Sequence, residues 1–353
     1  MSRKIRVLEF THQRDWGGTD KNSQLMMQHY DKNKFEVIAA SYVGGPRAQW
    51  IKDNQIPNLI TENNEEMIAW LKSQSIDVVH FYRGGWTESR DIAIFKMAGI
   101  PVLIERNCFA DFDASNDRAL IDKHVFCSNV SVDIYKKRSG TSFDASKATM
   151  IYPPTDVDMF DGINRDWSEP TFGRISRKDV QKWHPTSIHS LPLIRESVPS
   201  AKFHVVGIPD SYWSLIEQLG VKDMIIETVI PTDAHLVDFF KKITVFAHSS
   251  SIGESFGNVM AEAMAAGLPV VTHTGWDSAQ TELTTDGYNG YIVDPDDTRA
   301  YADKIIYLLK NPTQKRIMGY FGRSRSRELY NIKTVVDKYQ DLFVEQCKIK
   351  GII

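Results

Sequence analysis

Two glutamates, Glu254 and Glu262, flank a segment whose residue types suit the binding of a phosphate group. From residue 249 to residue 267 the sequence reads SSSIGESFGNVMAEAMAAG, so small polar residues precede apolar residues at helical spacing, and the final glycine is suited to end a helix. We therefore expect a loop followed by a helix. The backbone N–H groups of residues 255–259 would lie at the N-terminus of that helix, where they favour an anion.

The separation of these two carboxylates decides what they can do together. In a helix, an eight-residue spacing places them at different azimuths and about 12 Å apart along the axis. At that distance they are unsuited to share one proton or one metal ion. They can instead bind the two ends of a ligand with phosphate in its middle, and a nucleoside diphosphate sugar is such a ligand.

A cation-rich loop is the second group of candidate residues. The segment 173–185, GRISRKDVQKWHP, directly follows an apolar run. Release of a diphosphate from a nucleoside diphosphate sugar generates negative charge, which fixed cations can stabilise. The five residues able to supply positive charge are Arg174, Arg177, Lys178, Lys182 and His184.

The elements that must position these residues are predicted to be βα units. Short apolar runs alternate with helical segments, which indicates parallel sheets with helices on their faces. Ligands in such sheets bind beyond the carboxyl ends of the strands. Strands are expected at 5–10, 35–40, 77–81, 101–104, 123–128 and 148–152, and then at 170–175, 202–206, 224–227, 244–247, 269–272 and 290–293.

The chain is predicted to form two α/β domains. Pro153 and Pro154 mark the boundary, because two prolines cannot continue a helix or a central strand. The predicted domains are residues 1–158 and 159–330, followed by a helical segment, 331–353, that is expected to pack back toward the first domain. Other helices are expected from residue 19 and at 65–72, 86–97, 299–310 and 314–327.

The segment ESFGNVMAEAMAAGLPVV, residues 254–271, resembles the donor-binding motif of retaining glycosyltransferases of the family-4 type, also called glycosyl transferases group 1. The combination of Ser-Phe-Gly before the helix with Gly-x-Pro-Val-Val after it makes the resemblance specific. It implies the α/β fold class known as GT-B, with two Rossmann-like domains whose parallel sheets face an interdomain cleft.

The resemblance also implies separate roles for the candidate residues. Glu254 would be catalytic and position the transferred sugar, while Glu262 would hold the ribose hydroxyls. Arg174 matches the Gly-Arg of the family and, with a lysine, would act on the diphosphate as a catalytic residue. Lys182 is the first choice for that lysine and Lys178 the second, because the loop is longer here. The implied donor-binding residues are Gly17, Gly18, Ser255, Phe256, Gly257, Asn258, Val259 and Glu262.

The acceptor side is implied by weaker matches in the first domain. Asn107 stands where the family often has a histidine, so a histidine-assisted mechanism is not supported, although an asparagine can hydrogen-bond a sugar hydroxyl. Arg106 and His80, near the carboxyl ends of predicted strands, are further acceptor-side candidates. For His80, a satisfied position in the core is the alternative.

No metal site is expected. Asp111 and Asp113 form an Asp-x-Asp pattern, which holds a metal in the other main glycosyltransferase fold, but we interpret them here as surface or capping carboxylates. The ten histidines form no set with aspartate or glutamate at convincing metal-ligand spacing.

These observations predict a retaining, metal-independent hexosyltransferase. It would move a hexose from GDP-mannose or a UDP-sugar to a glycan, a lipid-linked acceptor or another hydroxyl acceptor, with the nucleoside diphosphate sugar as co-substrate and no cofactor. The turn at Gly17 and Gly18 lacks the GxGxxG pattern, which argues against a nicotinamide enzyme. Two alternatives remain open: a nucleotide-sugar epimerase of the same fold and a non-catalytic protein that binds a nucleotide sugar.

Charge and composition limit the other partners. Lys and Arg number 42 against 45 Asp and Glu, so bulk binding of nucleic acid is not indicated. The short basic clusters at 3–6 and 136–138 are interpreted as solvated surface, with weak association with a membrane surface as the alternative. Three cysteines without CxxC spacing favour a reducing compartment, and no apolar run is long enough to span a membrane. We expect a cytoplasmic protein, soluble or peripheral, and the sequence contains no signal for its oligomeric state.

Overall fold

The computed structural model describes residues 3–84, 90–230, 232–275 and 278–353. The chain divides into two compact units. The first contains the residues up to 154 together with residues 332–353, and the second contains residues 155–331. The division follows the second of the paired prolines, a few residues before the predicted end of the first domain at residue 158.

The first unit is built on a parallel sheet of seven strands within the described residues. Its strands are β1 (Ile5–Thr11), β2 (Phe35–Ser41), β3 (Asn58–Ile60), β4 (Val78–Arg83), β5 (Val102–Asn107), β6 (Lys123–Phe126) and β7 (Ala148–Met150), in the order β3-β2-β1-β4-β5-β6-β7. The helices between them are α1 (Gly18–His29), α2 (Pro46–Asp53), α3 (Asn64–Ser73), α4 (Arg90–Ala98) and α5 (Asn129–Ser139). The central strands β4 and β5 are buried along their whole length, as expected where helices cover both faces of a parallel sheet.

The second unit repeats this plan with six strands in its described part. The strands are β8 (Thr171–Ile175), β9 (Lys202–Val206), β10 (Ile225–Glu227), β11 (Val245–Ala247), β12 (Val270–His273) and β13 (Gly290–Val293), in the order β10-β9-β8-β11-β12-β13. The helices are α6 (Thr186–His189), α7 (Leu191–Ser197), α8 (Trp213–Gln218), α9 (Asp233–Lys241), α10 (Asn258–Ala265), α11 (Gln280–Leu283), α12 (Thr298–Lys310) and α13 (Pro312–Leu329).

The last helix, α14 (Ile332–Ile349), belongs to the first unit although it follows the second in sequence. Its apolar face enters the core beside β1 and α1. The ring of Phe343 lies 6.1 Å from that of Tyr30 and 6.5 Å from that of Phe35, and Tyr339 packs in the same cluster. The C-terminal helix therefore completes the hydrophobic core of the first sheet.

Each predicted strand is present, with ends shifted by a few residues, and helix α2 and strand β3 are among the elements for which no position was predicted. Helix α2 has weak apolar periodicity and begins at Pro46, a position where proline is tolerated because the first helical N–H needs no partner within the helix. Strand β3 has three partly buried residues at the edge of the sheet, too few for a clear pattern. The helix predicted at 86–97 corresponds to α4 from Arg90 onward, and its residues 86–89 lie outside the described residues.

Phe343→Ala should lower the free energy of unfolding by about 3–5 kcal/mol, because it removes a fully buried ring from the core of the first unit. Ile349→Ala is the control on the same helix: Ile349 is 67% exposed, so its replacement should change stability by less than about 0.5 kcal/mol. Urea denaturation measures both values. Equal losses in the two variants would contradict the burial of this face of α14.

Candidate functional site

The candidate site of the second unit begins at the carboxyl ends of two adjacent strands. β8 and β11 lie side by side at the point where the strand order reverses, since β9 lies beyond β8 and β12 lies beyond β11. In open parallel sheets this switch point is where ligands bind. The end of β8 and the loop after it contain the predicted cations, and the loop after β11 contains Glu254, so the topology brings together groups that are distant in sequence.

Arg174, near the end of β8, is fully buried and organises the first loop. Its Nη2 donates to the carbonyl oxygen of Lys182, and its guanidinium carbon lies 4.6 Å from the centre of the Trp183 ring. Its Nη1 lies 3.5 Å from Nδ1 of His248. Burial lowers the pKa of Arg174 to about 10, so the guanidinium still bears its positive charge at neutral pH. The site therefore has a fixed cation beneath its surface.

Lys182 and Glu254 make the central contact of the site. The Nζ of Lys182 lies 3.1 Å from each carboxylate oxygen of Glu254, although the two residues are 72 positions apart in sequence. The two side chains are only 18% and 17% exposed. A cation and a carboxylate are thus held together where water screens their charges less than on an open surface.

The structure separates the two candidate lysines. Lys182 ends a short 3-10 turn that directs its side chain toward Glu254. Lys178 lies before that turn and pairs with Asp210 at 2.6 Å, where both side chains are well exposed. Of these two lysines, Lys182 is therefore the one in contact with Glu254.

Hydrogen bonds join the two loops of the site. The carbonyl oxygen of Gln181 accepts from the backbone N–H groups of Ser251 and Ile252, at 3.1 and 3.2 Å. The hydroxyl of Ser251 donates to the carbonyl oxygen of Trp183 at 3.0 Å. The segment that leads to Glu254 is therefore fastened to the cationic loop.

Helix α10 begins at Asn258, directly after a glycine with an unusual backbone conformation. Gly257 has φ of +94°, which residues with a Cβ rarely adopt, so glycine suits this sharp entry. Phe256 before it is buried, and its ring packs edge-to-face with that of Tyr330 at 5.1 Å. The predicted anion-binding segment, residues 255–259, therefore spans the end of the loop and the first turn of the helix. Its half-buried members are Ser255, Gly257, Asn258 and Val259.

The two glutamates are held by different elements. Glu254 lies in the loop before α10, whereas Glu262 lies in the second turn of the helix and is 9% exposed. The backbone N–H of Ala279 donates to the carbonyl oxygen of Glu254 at 2.7 Å and fixes the loop at that point. The carboxylates thus have different surroundings.

In the first unit, the predicted glycine turn lies beside a carboxyl group with a raised pKa. Gly17 and Gly18 form the exposed start of α1. A Cβ added at Gly17 would lie 3.4 Å from Oδ2 of Asp20, which also accepts the N–H of Asp15 at 3.2 Å. Burial raises the pKa of Asp20 to about 6. The turn therefore borders a group that titrates close to neutral pH.

The acceptor-side candidate His80 lies inside the first unit. It is fully buried, and its Nδ1 lies 2.8 Å from a carboxylate oxygen of Glu9, which is also buried. Its ring packs against that of Tyr339, with 4.6 Å between the ring centres. These contacts place His80 in the core with Nδ1 paired, whereas its Nε2 is buried without a hydrogen-bond partner among the described residues, so the alternative prediction of a satisfied core histidine is met only in part.

Arg106 and Asn107, the other acceptor-side candidates, are also buried with partners of their own. Arg106 donates to the carbonyl oxygen of Ile151 at 2.8 Å and to the hydroxyl of Tyr339. The side-chain amide of Asn107 donates to the carbonyl oxygen of Asp111 at 3.0 Å. An acceptor-binding role for these two side chains gains no support from these contacts.

The Asp-x-Asp pattern pairs with arginines. Asp113 is buried and accepts from Arg83 at 2.8 Å, and Asp111 accepts from Arg138. The Asp113 carboxylate is therefore internal rather than on the surface, because a buried arginine balances its charge. Its Oδ1 also accepts the backbone N–H of Ser115 at 2.8 Å, which agrees with the capping part of the interpretation.

Sequence reasoning included His184 in the cation-rich loop but missed two other histidines of the second-unit site, His248 and His273. His248 directly follows β11, and His273 ends β12. The Nε2 of His273 accepts the N–H of Ser250 at 3.0 Å, and its ring centre lies 5.2 Å from that of His184. Burial lowers the pKa of His248, His273 and His184. Their positions in the sequence could have identified them, because His248 and His273 directly follow the predicted strands 244–247 and 269–272.

The described architecture is the GT-B fold, with two Rossmann-like α/β units that each contain a parallel sheet. A glycosyltransferase from Rickettsia africae matches 98% of this chain over 100% of its own, with a TM-score of 0.83 and 15% identity. HepE from Anabaena, solved in complex with UDP-glucose, matches 97% of this chain over 100% of its own, with a TM-score of 0.81 and 15% identity. At such identities the likeness shows the fold.

Residues 160–325, which include all the second-unit candidates, match the family model of glycosyl transferases group 1. Trehalose synthase from Pyrococcus horikoshii is 26% identical over 190 residues, 50% of this chain and 44% of that protein. The GDP-mannose-dependent alpha-(1-6)-phosphatidylinositol monomannoside mannosyltransferase of Mycolicibacterium smegmatis is 27% identical over 208 residues, 53% of this chain and 54% of that protein. The chain thus spans about half the length of these curated relatives. None of its described helices is both long and apolar enough to cross a membrane.

Asp20→Asn should be more stable than the wild type at neutral pH but not near pH 4. The folded pKa of about 6 exceeds the ordinary value of 3.8, so the native state binds this proton more tightly than the unfolded chain. Wild-type stability from this group therefore falls as pH rises from about 4 to about 6. The advantage of the variant should grow over that window to about 1–3 kcal/mol and stay constant above it. Urea denaturation across pH 4 to 8 tests this, and an advantage independent of pH would contradict it.

Proposed function

We propose that this chain is a retaining, metal-independent glycosyltransferase that moves a hexose from a nucleoside diphosphate sugar to a hydroxyl acceptor. The observation that carries the proposal is the contact between Lys182 and Glu254 beside the buried Arg174. This contact places two cations and a carboxylate at the entry to α10, an arrangement that suits a ligand with both a diphosphate and sugar hydroxyls. The family match of residues 160–325 supports the same conclusion.

The proposed donor is a UDP-sugar or GDP-mannose. The matched structure of HepE is a complex with UDP-glucose, and one matched relative is named as GDP-mannose-dependent, so both nucleotides fit the class. In the proposed binding mode the diphosphate lies against residues 255–259 and Lys182. Glu262 holds the ribose hydroxyls, and Glu254 holds hydroxyls of the sugar. Gly17 and Gly18 stay candidates for donor contact from the resemblance alone.

Arg174 has a modified role in this proposal. The resemblance implies direct contact with the diphosphate, but the described side chain has no exposed surface and its Nη2 is engaged by the carbonyl oxygen of Lys182. Its charge therefore acts on the site through the protein interior, where charge interactions are stronger than in water. It also holds the loop that presents Lys182.

The proposed reaction breaks the bond between the anomeric carbon and a phosphate oxygen and forms a bond between that carbon and the acceptor oxygen. Negative charge grows on the departing diphosphate, where Lys182 and the N-terminus of α10 stabilise it. The acceptor proton passes to the departing phosphate oxygen, so no protein nucleophile is needed. Attack from the side of the leaving group retains the anomeric configuration. The acceptor is proposed to be a glycan, a lipid-linked molecule or another hydroxyl compound.

A nucleotide-sugar donor should raise the melting temperature, because a ligand that binds only the native state stabilises it by about 2.7 kcal/mol at a concentration 100 times its Kd. Differential scanning fluorimetry with UDP-glucose, UDP-N-acetylglucosamine and GDP-mannose tests this, with inorganic phosphate as the control. A donor that stabilises the protein should also be hydrolysed slowly, and product analysis would show retention. Binding without hydrolysis or transfer would favour the non-catalytic alternative. Formation of a nucleotide sugar with inverted configuration at one carbon of the sugar would favour the epimerase. If none of the donors stabilised the protein, the proposal would be contradicted.

Lys182→Ala should lower kcat for donor cleavage by about 10²–10³-fold, equivalent to about 2.7–4 kcal/mol of transition-state stabilisation. Lys178→Ala is the matched control, because it removes a lysine of the same loop that pairs with Asp210 away from Glu254. Its kcat should stay within about twofold of the wild type, since exposed ion pairs contribute little. A large loss of kcat in Lys178→Ala with normal activity in Lys182→Ala would reverse the assignment of the two lysines.

A further inference from the structure

His248 lies between the buried cation and the carboxylate of the proposed site. It directly follows β11 and is 2% exposed, and its backbone N–H donates to the carbonyl oxygen of Val271 in β12 at 2.8 Å. Its ring is nearly parallel to that of Phe246, at 15° and 6.2 Å between centres. Backbone pairing and ring packing together give the imidazole a defined direction.

The two nitrogens of this imidazole face groups of opposite charge. Nδ1 lies 3.5 Å from Nη1 of Arg174, and Nε2 lies 3.7 Å from Oε1 of Glu254. Because a guanidinium can only donate hydrogen bonds, Nδ1 must be the acceptor, and the proton of the neutral ring must be on Nε2. The only N–H of the ring therefore points toward the carboxylate.

The surroundings of His248 favour this neutral form. Burial lowers its pKa well below the ordinary value, and the positive charge of Arg174 adds to the effect. Nε2 is buried and has no hydrogen-bond partner among the described residues. Leaving a buried donor unpaired costs about 1–3 kcal/mol, so a short approach of the Glu254 carboxylate would be favourable. Catalytic hydrogen bonds are often long before the substrate complex forms.

We propose that His248 is a positioning residue that connects Arg174 to Glu254 and holds the Glu254 carboxylate in the orientation that receives the sugar hydroxyls. The inference rests on the proposed function of this site. It assigns Glu254 two donors, Nζ of Lys182 and Nε2 of His248. The Lys182 side chain, on a loop, can turn from Glu254 toward the diphosphate. The neutral His248 imidazole is held at a strand end and has no charge to draw it to the diphosphate. His248 therefore keeps the carboxylate in place when Lys182 engages the donor.

Two substitutions separate the two ends of the ring. Asparagine places its amide close to the position of Nδ1 and keeps the contact with Arg174, whereas glutamine places its amide close to the position of Nε2 and keeps the contact with Glu254. With the donor found by thermal shift, His248→Asn should lower kcat by about 10–100-fold with KM within about threefold, because misplacement by about 1 Å can cost this much. His248→Gln should stay within about threefold of the wild type in both constants.

Other outcomes of this comparison overturn the inference. Normal kcat in His248→Asn with a large loss in His248→Gln would mean that the contact with Arg174 is the important one. Equal losses in both variants, with KM raised as much as kcat is lowered, would mean that His248 only supports the fold.

A spectroscopic measurement distinguishes failure of this inference from failure of the proposed function, because it requires no turnover. The ¹⁵N spectrum of histidine-labelled protein reports which ring nitrogen bears the proton, and loss of signals in His248→Gln assigns the residue. The expected result is the neutral Nε2–H form, with a resonance that moves in Glu254→Gln. A proton on Nδ1, or on both nitrogens at neutral pH, would overturn the inference even if the protein transfers sugar. Absence of turnover with the expected spectrum would instead count against the proposed function alone.

Discussion

The burial of the Arg174 guanidinium is the constraint on which the second-unit site depends. A cation removed from water is costly unless partners compensate it, and here the compensation comes from three neighbours: the carbonyl oxygen of Lys182, the face of the Trp183 ring and Nδ1 of His248. The loop after β8 must close over the guanidinium to supply the first two. That closure turns the Lys182 side chain toward Glu254, so the position of this half-buried cation depends on how the loop covers the fully buried one.

Strand order is the second requirement. The loop with Lys182 follows β8 and the loop with Glu254 follows β11, and these strands are neighbours only because the chain crosses to the other side of β8 after completing β9 and β10. Hydrogen bonds from Ser251 and Ile252 to Gln181 then join the loops. The contact between Lys182 and Glu254 thus depends on the strand order of the sheet, and the helix that begins after Gly257 lies beside it.

In the first unit, polar residues near the carboxyl ends of parallel strands contact one another and the helix α14. His80 pairs with Glu9, and Arg106 bonds Tyr339 of α14. Arg83 and His124 both contact Glu105. Neighbouring strands place opposite charges side by side, and such groups can satisfy one another inside the sheet. The rule that strand ends hold functional residues therefore selects these positions as candidates, but it cannot tell an internal network from a binding surface. The helix α14 packs against part of this network, and it shares one hydrophobic cluster with β1 and α1.

The sequence by itself determined the alternation of strands and helices, the entry to α10 and the residue types of the candidate donor-binding segment, because these depend on local periodicity, glycine conformation and contiguous residues. It also identified Arg174, Glu254 and the pair of candidate lysines. Only the tertiary structure decided that Lys182 contacts Glu254 while Lys178 pairs elsewhere, that the guanidinium of Arg174 is buried, and that His248 stands between them. These outcomes depend on which strands are neighbours and how two loops close on each other, and contacts between residues more than seventy positions apart leave no periodic signal in the chain.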